Sequence, residues 1–475
     1  MNKQILRLAI PSIVSNITVP LLGLVDVAIT GHMGEARYMA AIAVGSMVFN
    51  IIYWLFSFLR FGTGGLTAQE YGKGDYRECC HILLRAHSTC LLLALALILM
   101  QTPLFYAIMW IIAPGDDLLP TIHTYYSICI WGTFPSLALY AFTGWFVGMQ
   151  NTKLPMAVSI SQNIVNILLS LLFVYGLHMK IEGVALGTLL AQWSGLVVAF
   201  IMLRWRYGDI WKGVKVRSAI KLKEMRRFFS VNSILFYRTV FLVAVNLYFI
   251  VAGAKGGAEI LSVNSVLMQM FILYTYVMDG FAYAAEALCG KCYGANDKTN
   301  FTLALKGVWR WAWALTIVFT IVYAIGGETF LDILTDEETV RQAALPYLPW
   351  AILIPICGVA AFVWDGVFVG LTDAKGMLWG TFVGAAFFFG INFLPQLSIL
   401  ALRWCSCLAS VASRPITGEQ SSEFNYQLSI VNYQLSIVNY QLSNHFLWLA
   451  FNAYLLMRGI TQEIIWRKVW KNKEK

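Results

Sequence analysis

The chain has 475 residues, 59% of them hydrophobic and 12% charged, with a net charge of +9 and a mean hydropathy of +0.67. Soluble domains are about a quarter charged, so this composition excludes a soluble globular protein and points to a membrane-embedded chain. The surplus of bases is not a nucleic-acid signature, because it falls in the connections between apolar runs and not in a patch on a soluble surface.

The N-terminus, MNKQILRLAIPSIVSNITVPLLGLVDVAIT, opens like a signal peptide. Its apolar run is too long for one, contains Pro11, Pro20 and Asp26, and has no small-x-small cleavage site, so it reads as a retained first helix. A crossing needs about twenty apolar residues, and that ruler finds about twelve candidate helices. They start near Ile5, Ala40, Ala86, Ile122, Pro155, Gly183, Ser230, Ile260, Leu303, Ala344, Gly376 and Asn444. Helices are required because backbone groups must be satisfied within the bilayer, and no strand-like alternation is present. With the N-terminus inside, about 26 of the 34 basic residues fall in cytoplasmic segments, which sets both termini in the cytoplasm.

Three motif pairs share one offset of about 222 residues: GHMG with GAKG, YGKGD with YGAND, and FVGMQNTK with FVGLTDAK. Six helices per half is an even number, so the halves have the same orientation and are related by an axis along the membrane normal. The expected fold is an all-α integral membrane protein of twelve transmembrane helices, in two pseudo-symmetric six-helix lobes with a central cleft. The expected domains are an N-terminal lobe (1–203), a basic cytoplasmic linker (204–229), a C-terminal lobe (230–466) and a basic tail (467–475). The register breaks at residues 399–443, where NYQLSIV occurs twice and then NYQLSN, a low-complexity insertion between helices 11 and 12 that reads as disordered or β-aggregating.

Six ionisable residues fall deep in helices: Asp26, Arg60, Arg238, Asp279, Glu286 and Asp365. Such groups are costly in lipid and are expected to face the protein interior or water. Asp279 and Glu286 are seven residues apart, within about 20° of one helical face. The bases available to them suggest that Arg238 pairs with Asp279, and that Glu286 is exposed near the cytoplasmic mouth as part of a substrate-attracting cluster with Asp365. Arg60 is expected to snorkel or to bind lipid phosphate. Asp26 has no base at its depth, so burial favours its protonated form and makes it a coupling candidate. Asn163, Asn166 and Ser170, with Gln162, are its candidate polar neighbours. Pro11 and Pro20 are candidate hinges for helix 1. The nine cysteines read as packing residues; the zinc alternative, Cys289 and Cys292 with Cys79, Cys80, His81 and His87, lacks a metal-site loop. No metal or other cofactor is expected beyond a coupling ion.

PLLGLVDVAITGHMG, FLRFGTGGLTAQEYG, VLMQMFILYTYVMDGFAYAAEALCGKCYGAND and WDGVFVGLTDAKGM resemble signatures of the multidrug and toxic compound extrusion family, in its DinF-like branch. The resemblance implies a non-enzymatic, monomeric exporter of cationic or amphiphilic compounds, driven by inward H⁺ or Na⁺, in a bacterial inner membrane. Two departures stand out. The family's fifth helix often carries N-x-x-x-D, whereas here Asn166 is followed by Ser170, which leaves Asp26 without a second carboxylate; and the common Q-D-T-R loop is Gln150, Asn151, Thr152, Lys153. The alternatives are a flippase for a lipid-linked precursor, for which the intramembrane bases are few, and a transporter inactivated by its insertion.

Overall fold

The computed structural model describes residues 1–31, 36–115, 117–214, 216–219, 222–412 and 444–468. The described residues are almost wholly helical: α1 (Asn2–Gly31), α2 (Ala36–Leu55), α3 (Phe58–Lys73), α4 (Tyr76–Leu99), α5 (Gln101–Ile112), α6 (Leu119–Cys129), α7 (Thr133–Gly148), α8 (Lys153–Leu171), α9 (Ile181–Tyr207), α10 (Val216–Ala219), α11 (Leu222–Lys255), α12 (Ala258–Gly294), α13 (Lys298–Leu334), α14 (Glu338–Ala344), α15 (Leu348–Gly370) and α16 (Ala374–Ala412). A final helix, α17, covers 444–468. Nine helical stretches among the described residues are long and apolar enough to cross a membrane. Each of the twelve expected starts lies in a helix. Helix α16 continues through residues 399–412, whereas the rest of the expected insertion, 413–443, lies outside the described residues.

The repeat is written into the backbone as well as into the motifs. Among the described residues, positive φ occurs at Gly74 (78°) and Asn296 (55°), and again at Gln150 (63°) and Thr372 (55°), two pairs separated by the repeat offset. Each ends a helix with the same pair of bonds: Gly74 N–H to Tyr71 O and Asp75 N–H to Glu70 O are mirrored by Asn296 to Tyr293 and Asp297 to Cys292. Gln150 to Val147 and Asn151 to Phe146 are likewise mirrored by Thr372 to Val369 and Asp373 to Phe368. This double bond closes the last orphan carbonyls of a helix and turns the chain sharply. The residue after the turn then starts the next helix. Asp75 accepts from Glu78 N–H at 2.9 Å, and Asp297 accepts from Asn300 N–H at 2.9 Å. YGKGD and YGAND are therefore one stop-and-start device, used twice.

The described chain forms two compact units. The first comprises Met1–Val240, Thr275–Ala312 and Phe362–Leu378, and so draws on both sequence halves. The second comprises Phe241–Tyr274, Trp313–Ala361 and Trp379–Lys475. Its interior is aromatic, and polar tips bond across it: the buried Tyr274 hydroxyl lies 3.0 Å from Pro355 O and 3.1 Å from Thr316 Oγ1, and Trp448 Nε1 donates to Asn264 Oδ1 at 2.9 Å. Without water as a competing partner, such bonds tie helices together across lipid-soluble surfaces.

Candidate functional site

Within the first unit, α3 and α12 cross at small residues one helical turn apart, Gly64, Ala68 and Gly72 against Gly290 and Gly294. A Cβ on Gly72 would lie 2.0 Å from the Lys291 carbonyl oxygen, and one on Gly294 would lie 2.0 Å from that of Gln69. Helices α7 and α15 seat on this pair in matching ways. A Cβ on Gly144 would fall 2.2 Å from Arg60 O, and one on its repeat mate Gly366 would fall 2.2 Å from Ala282 O. Small residues at four-residue spacing let backbones approach in a bilayer, where packing drives association. The tight crossing thus brings the two sequence halves together at one end of these helices.

One position breaks the symmetry. Glu286 occupies in α12 the place that Gly64 holds in α3, and its Oε1 fills the space a Gly64 side chain would need, 1.8 Å from an ideal Cβ. Its Oε2 accepts from Arg60 Nη1 at 3.2 Å. The side chains are 6% and 1% exposed, so both ends of the pair are removed from solvent. Oε1 has no hydrogen-bond partner among the described residues. The Arg60 guanidinium also lies 3.9 Å from the Phe61 ring centroid and 4.1 Å from that of Tyr283. The Arg238 guanidinium lies 5.3 Å from the same Phe61 ring centroid, and Arg238 donates to Asp365. Glu286, Arg60, Phe61, Arg238 and Asp365 therefore form one chain of contacts through α12, α3, α11 and α15. Desolvating an ion costs several kcal/mol, and here the cost is offset by short-range pairing and by π faces on the cations.

Two expectations are corrected by this geometry. Glu286 is buried and ion-paired, not exposed at a mouth, because the absent side chain at Gly64 makes room for it. Arg60 does not snorkel, since Glu286 and two aromatic rings hold it inside. Arg238 forms an ion pair with Asp365, and Asp279, half-buried two turns before Glu286 on α12, contributes with Glu286 to the field at Arg60. The two acids do share a face, as their spacing required.

A second polar stripe runs along α8 at Ser159, Asn163, Asn166 and Ser170, spaced by four, three and four residues. Its first half meets α1: Ser159 Oγ lies 3.3 Å from Thr18 Oγ1, and Asn163 Nδ2 donates to Thr18 O at 3.1 Å. Its second half meets α9, where Asn166 Nδ2 donates to Thr188 Oγ1 at 3.2 Å and Ser170 Oγ lies 2.5 Å from an ideal Cβ on Gly187. Gln162 Oε1 faces Gly195 of α9. Asn166 Oδ1 and Ser170 Oγ are buried and have no partner among the described residues. The side chains of Asp26 and Pro20 lie outside the described residues. The α1 backbone is continuous through Pro11 and Pro20. Thr152 of the α8 entry meets Arg7 O at 3.5 Å, so contacts advance together along both helices and α1 and α8 run parallel. Two turns beyond Thr18, the α1 backbone at residue 26 therefore reaches the level of Ser170, about 12 Å further along.

Comparison with known proteins agrees with this architecture. The MatE family model matches residues 11–172 and 235–394, once in each half. DNA damage-inducible protein F of Escherichia coli is 33% identical over 99% of this chain and 93% of its own length. The probable multidrug resistance protein NorM of Photorhabdus laumondii is 22% identical, over 80% and 84%. A MATE transporter solved in a straight conformation superposes with a TM-score of 0.80 at 15% identity, over 100% of this chain and 97% of its own. The bent conformation gives 0.80 at 14% identity, over the same shares. The fold is thus the twelve-helix, two-lobed membrane fold of those transporters. The chain belongs to the MatE family, the multidrug and toxic compound extrusion transporters.

Proposed function

We propose that this transporter exports cationic or amphiphilic compounds by alternating access, in exchange for inward H⁺ or Na⁺, and that Asp26 carries the coupling ion. One observation carries the reading: two buried oxygens of α8, Asn166 Oδ1 and Ser170 Oγ, find no partner among the described residues at the level where α1 bears Asp26. A buried acceptor without a partner costs about 1–3 kcal/mol and is retained where an ion or proton visits. With a serine at the position of the family's second acid, the site holds one negative charge, which suits a proton better than a hydrated metal ion. Relatives solved both straight and bent support an exchange between two states. With the N-terminus inside, the sealed α3/α12 crossing lies on the cytoplasmic side, and the chain works as a monomer in a bacterial inner membrane. Substrates would be held by apolar and aromatic contacts, and no nucleic acid or cofactor takes part.

Dye efflux from inverted vesicles, under separately imposed pH and Na⁺ gradients, tests the reading. Asp26→Asn should insert, bind dye and lose gradient-driven efflux, since a ligand shifts a conformational equilibrium only through differential affinity. Efflux by Asp26→Asn at the wild-type rate would remove Asp26 from the mechanism.

A further inference from the structure

A groove of about 890 Å³ opens between α3, α4 and the first turns of α11, all in the first unit. Its length follows one face of α11, on which Arg226, Phe229, Ser233 and Tyr237 recur at spacings of three and four. Phe58 of α3 and Leu93 of α4 form the opposite wall. The neighbouring face of α11 looks elsewhere: Glu224 and Phe228 line a separate small pocket with Glu70, Glu78 and Arg85. The acid is thereby kept off the groove. Arg226 is exposed and has no ion-pair partner among the described residues.

From these features we infer that the groove is a binding site for one anionic phospholipid, whose phosphate sits on Arg226 and whose acyl chain lies along Phe229, Ser233 and Tyr237. The reach fits this occupant. Arg226 to Tyr237 is eleven residues, about 16 Å of helix. Half of a hydrocarbon core is about 15 Å. Arg226 is also on the side of α11 that leads back to the basic connection 204–229, which is where the membrane interface lies whichever way the chain is inserted. Phe229 and Tyr237 are 43% and 59% exposed, so the groove is open to lipid along its length. A cationic substrate would meet an unpaired guanidinium at the mouth, whereas a phosphodiester would gain a charge-assisted contact. The site does not depend on the transport mechanism proposed above.

Native mass spectrometry of the purified full chain, released from nanodiscs containing equal dioleoyl phosphatidylglycerol and dioleoyl phosphatidylcholine, reads the site directly. One base at the surface contributes about 1 kcal/mol toward an anionic lipid, or about fivefold in retention. The wild type should retain one phosphatidylglycerol with about that preference. Arg226→Ala should bring the preference to about unity, and Arg226→Lys should keep most of it. Ser233→Trp, which fills the groove, should lose both lipids. Equal retention of the two lipids by the wild type, or full phosphatidylglycerol retention by Arg226→Ala, overturns the assignment. Displacement of the bound lipid by an amphiphilic cationic dye would do the same, by giving the groove to substrate. If Ser233→Trp is not monodisperse, the alanine and lysine variants decide by themselves.

Discussion

Replacing Glu286 by Gln keeps the shape that fills the Gly64 gap but removes the charge opposite Arg60. Breaking a buried pair by removing one partner costs about 3–5 kcal/mol, because the other ion is left uncompensated. Here part of the loss is cushioned. The amide oxygen can still accept from Arg60 at the 3.2 Å position, the Phe61 and Tyr283 rings stay in place, and Asp279 still acts on the guanidinium. Each ring face holds a desolvated cation by about 0.5–2 kcal/mol, so a net loss of about 2–3 kcal/mol is expected. The double variant Arg60→Leu with Glu286→Leu removes both ions and refills the space with apolar groups. It should be within about 1 kcal/mol of the wild type or more stable, while Arg60→Leu and Glu286→Leu by themselves should each lose at least as much as Glu286→Gln. Denaturant unfolding in detergent, followed by tryptophan fluorescence, measures the four proteins of this cycle. Additive losses, or a Glu286→Gln change under about 0.5 kcal/mol, would refute the claim that the two side chains hold each other in the interior.

Gly294→Ala should destabilise by about 1–3 kcal/mol or more, since its Cβ would lie 2.0 Å from a carbonyl oxygen of α3, which cannot rotate away. Gly390→Ala in α16 meets nothing within 4 Å and should be neutral or slightly stabilising, and equal thermal shifts for the two would sink the packing argument. Asp297, in the turn before α13, is held well below the usual carboxylate range, first by the Asn300 N–H and then by the Asn300 side chain. Its folded pKa is depressed, so its contribution to the start of α13 is present above the ordinary carboxylate range and is lost as pH falls through the depressed value. Hydrogen exchange of the first turn of α13 should therefore rise on acidification in the wild type and lose that dependence in Asp297→Ala; the same acid response in both would rule the cap out as its cause.

Much of this molecule is legible along one dimension. Apolar length places twelve expected starts, from Ile5 to Asn444, inside helices, because the transfer of a segment into lipid depends on its own residues. The offset between YGKGD and YGAND announces the repeat, and a Gly or Asn before Asp announces the left-handed cap that both copies adopt at Gly74 and Asn296. The caps at Gln150 and Thr372 carry no such residue; there the close seating of α7 and α15 on their neighbours outweighs local preference. Charge pairing was the part that sequence could not assign. Helical periodicity tells which residues share a face of their own helix, as Asp279 and Glu286 do, but not which neighbouring helix that face meets or at what height. The repeat alignment did contain a clue, since it sets Glu286 opposite a glycine, yet only the crossing of α3 and α12 turned that missing side chain into a seat for a carboxylate beside Arg60. Partner choice for an ion in a membrane is decided by a few ångströms of separation, where the energy is steepest, and those ångströms are set by packing between segments more than two hundred residues apart.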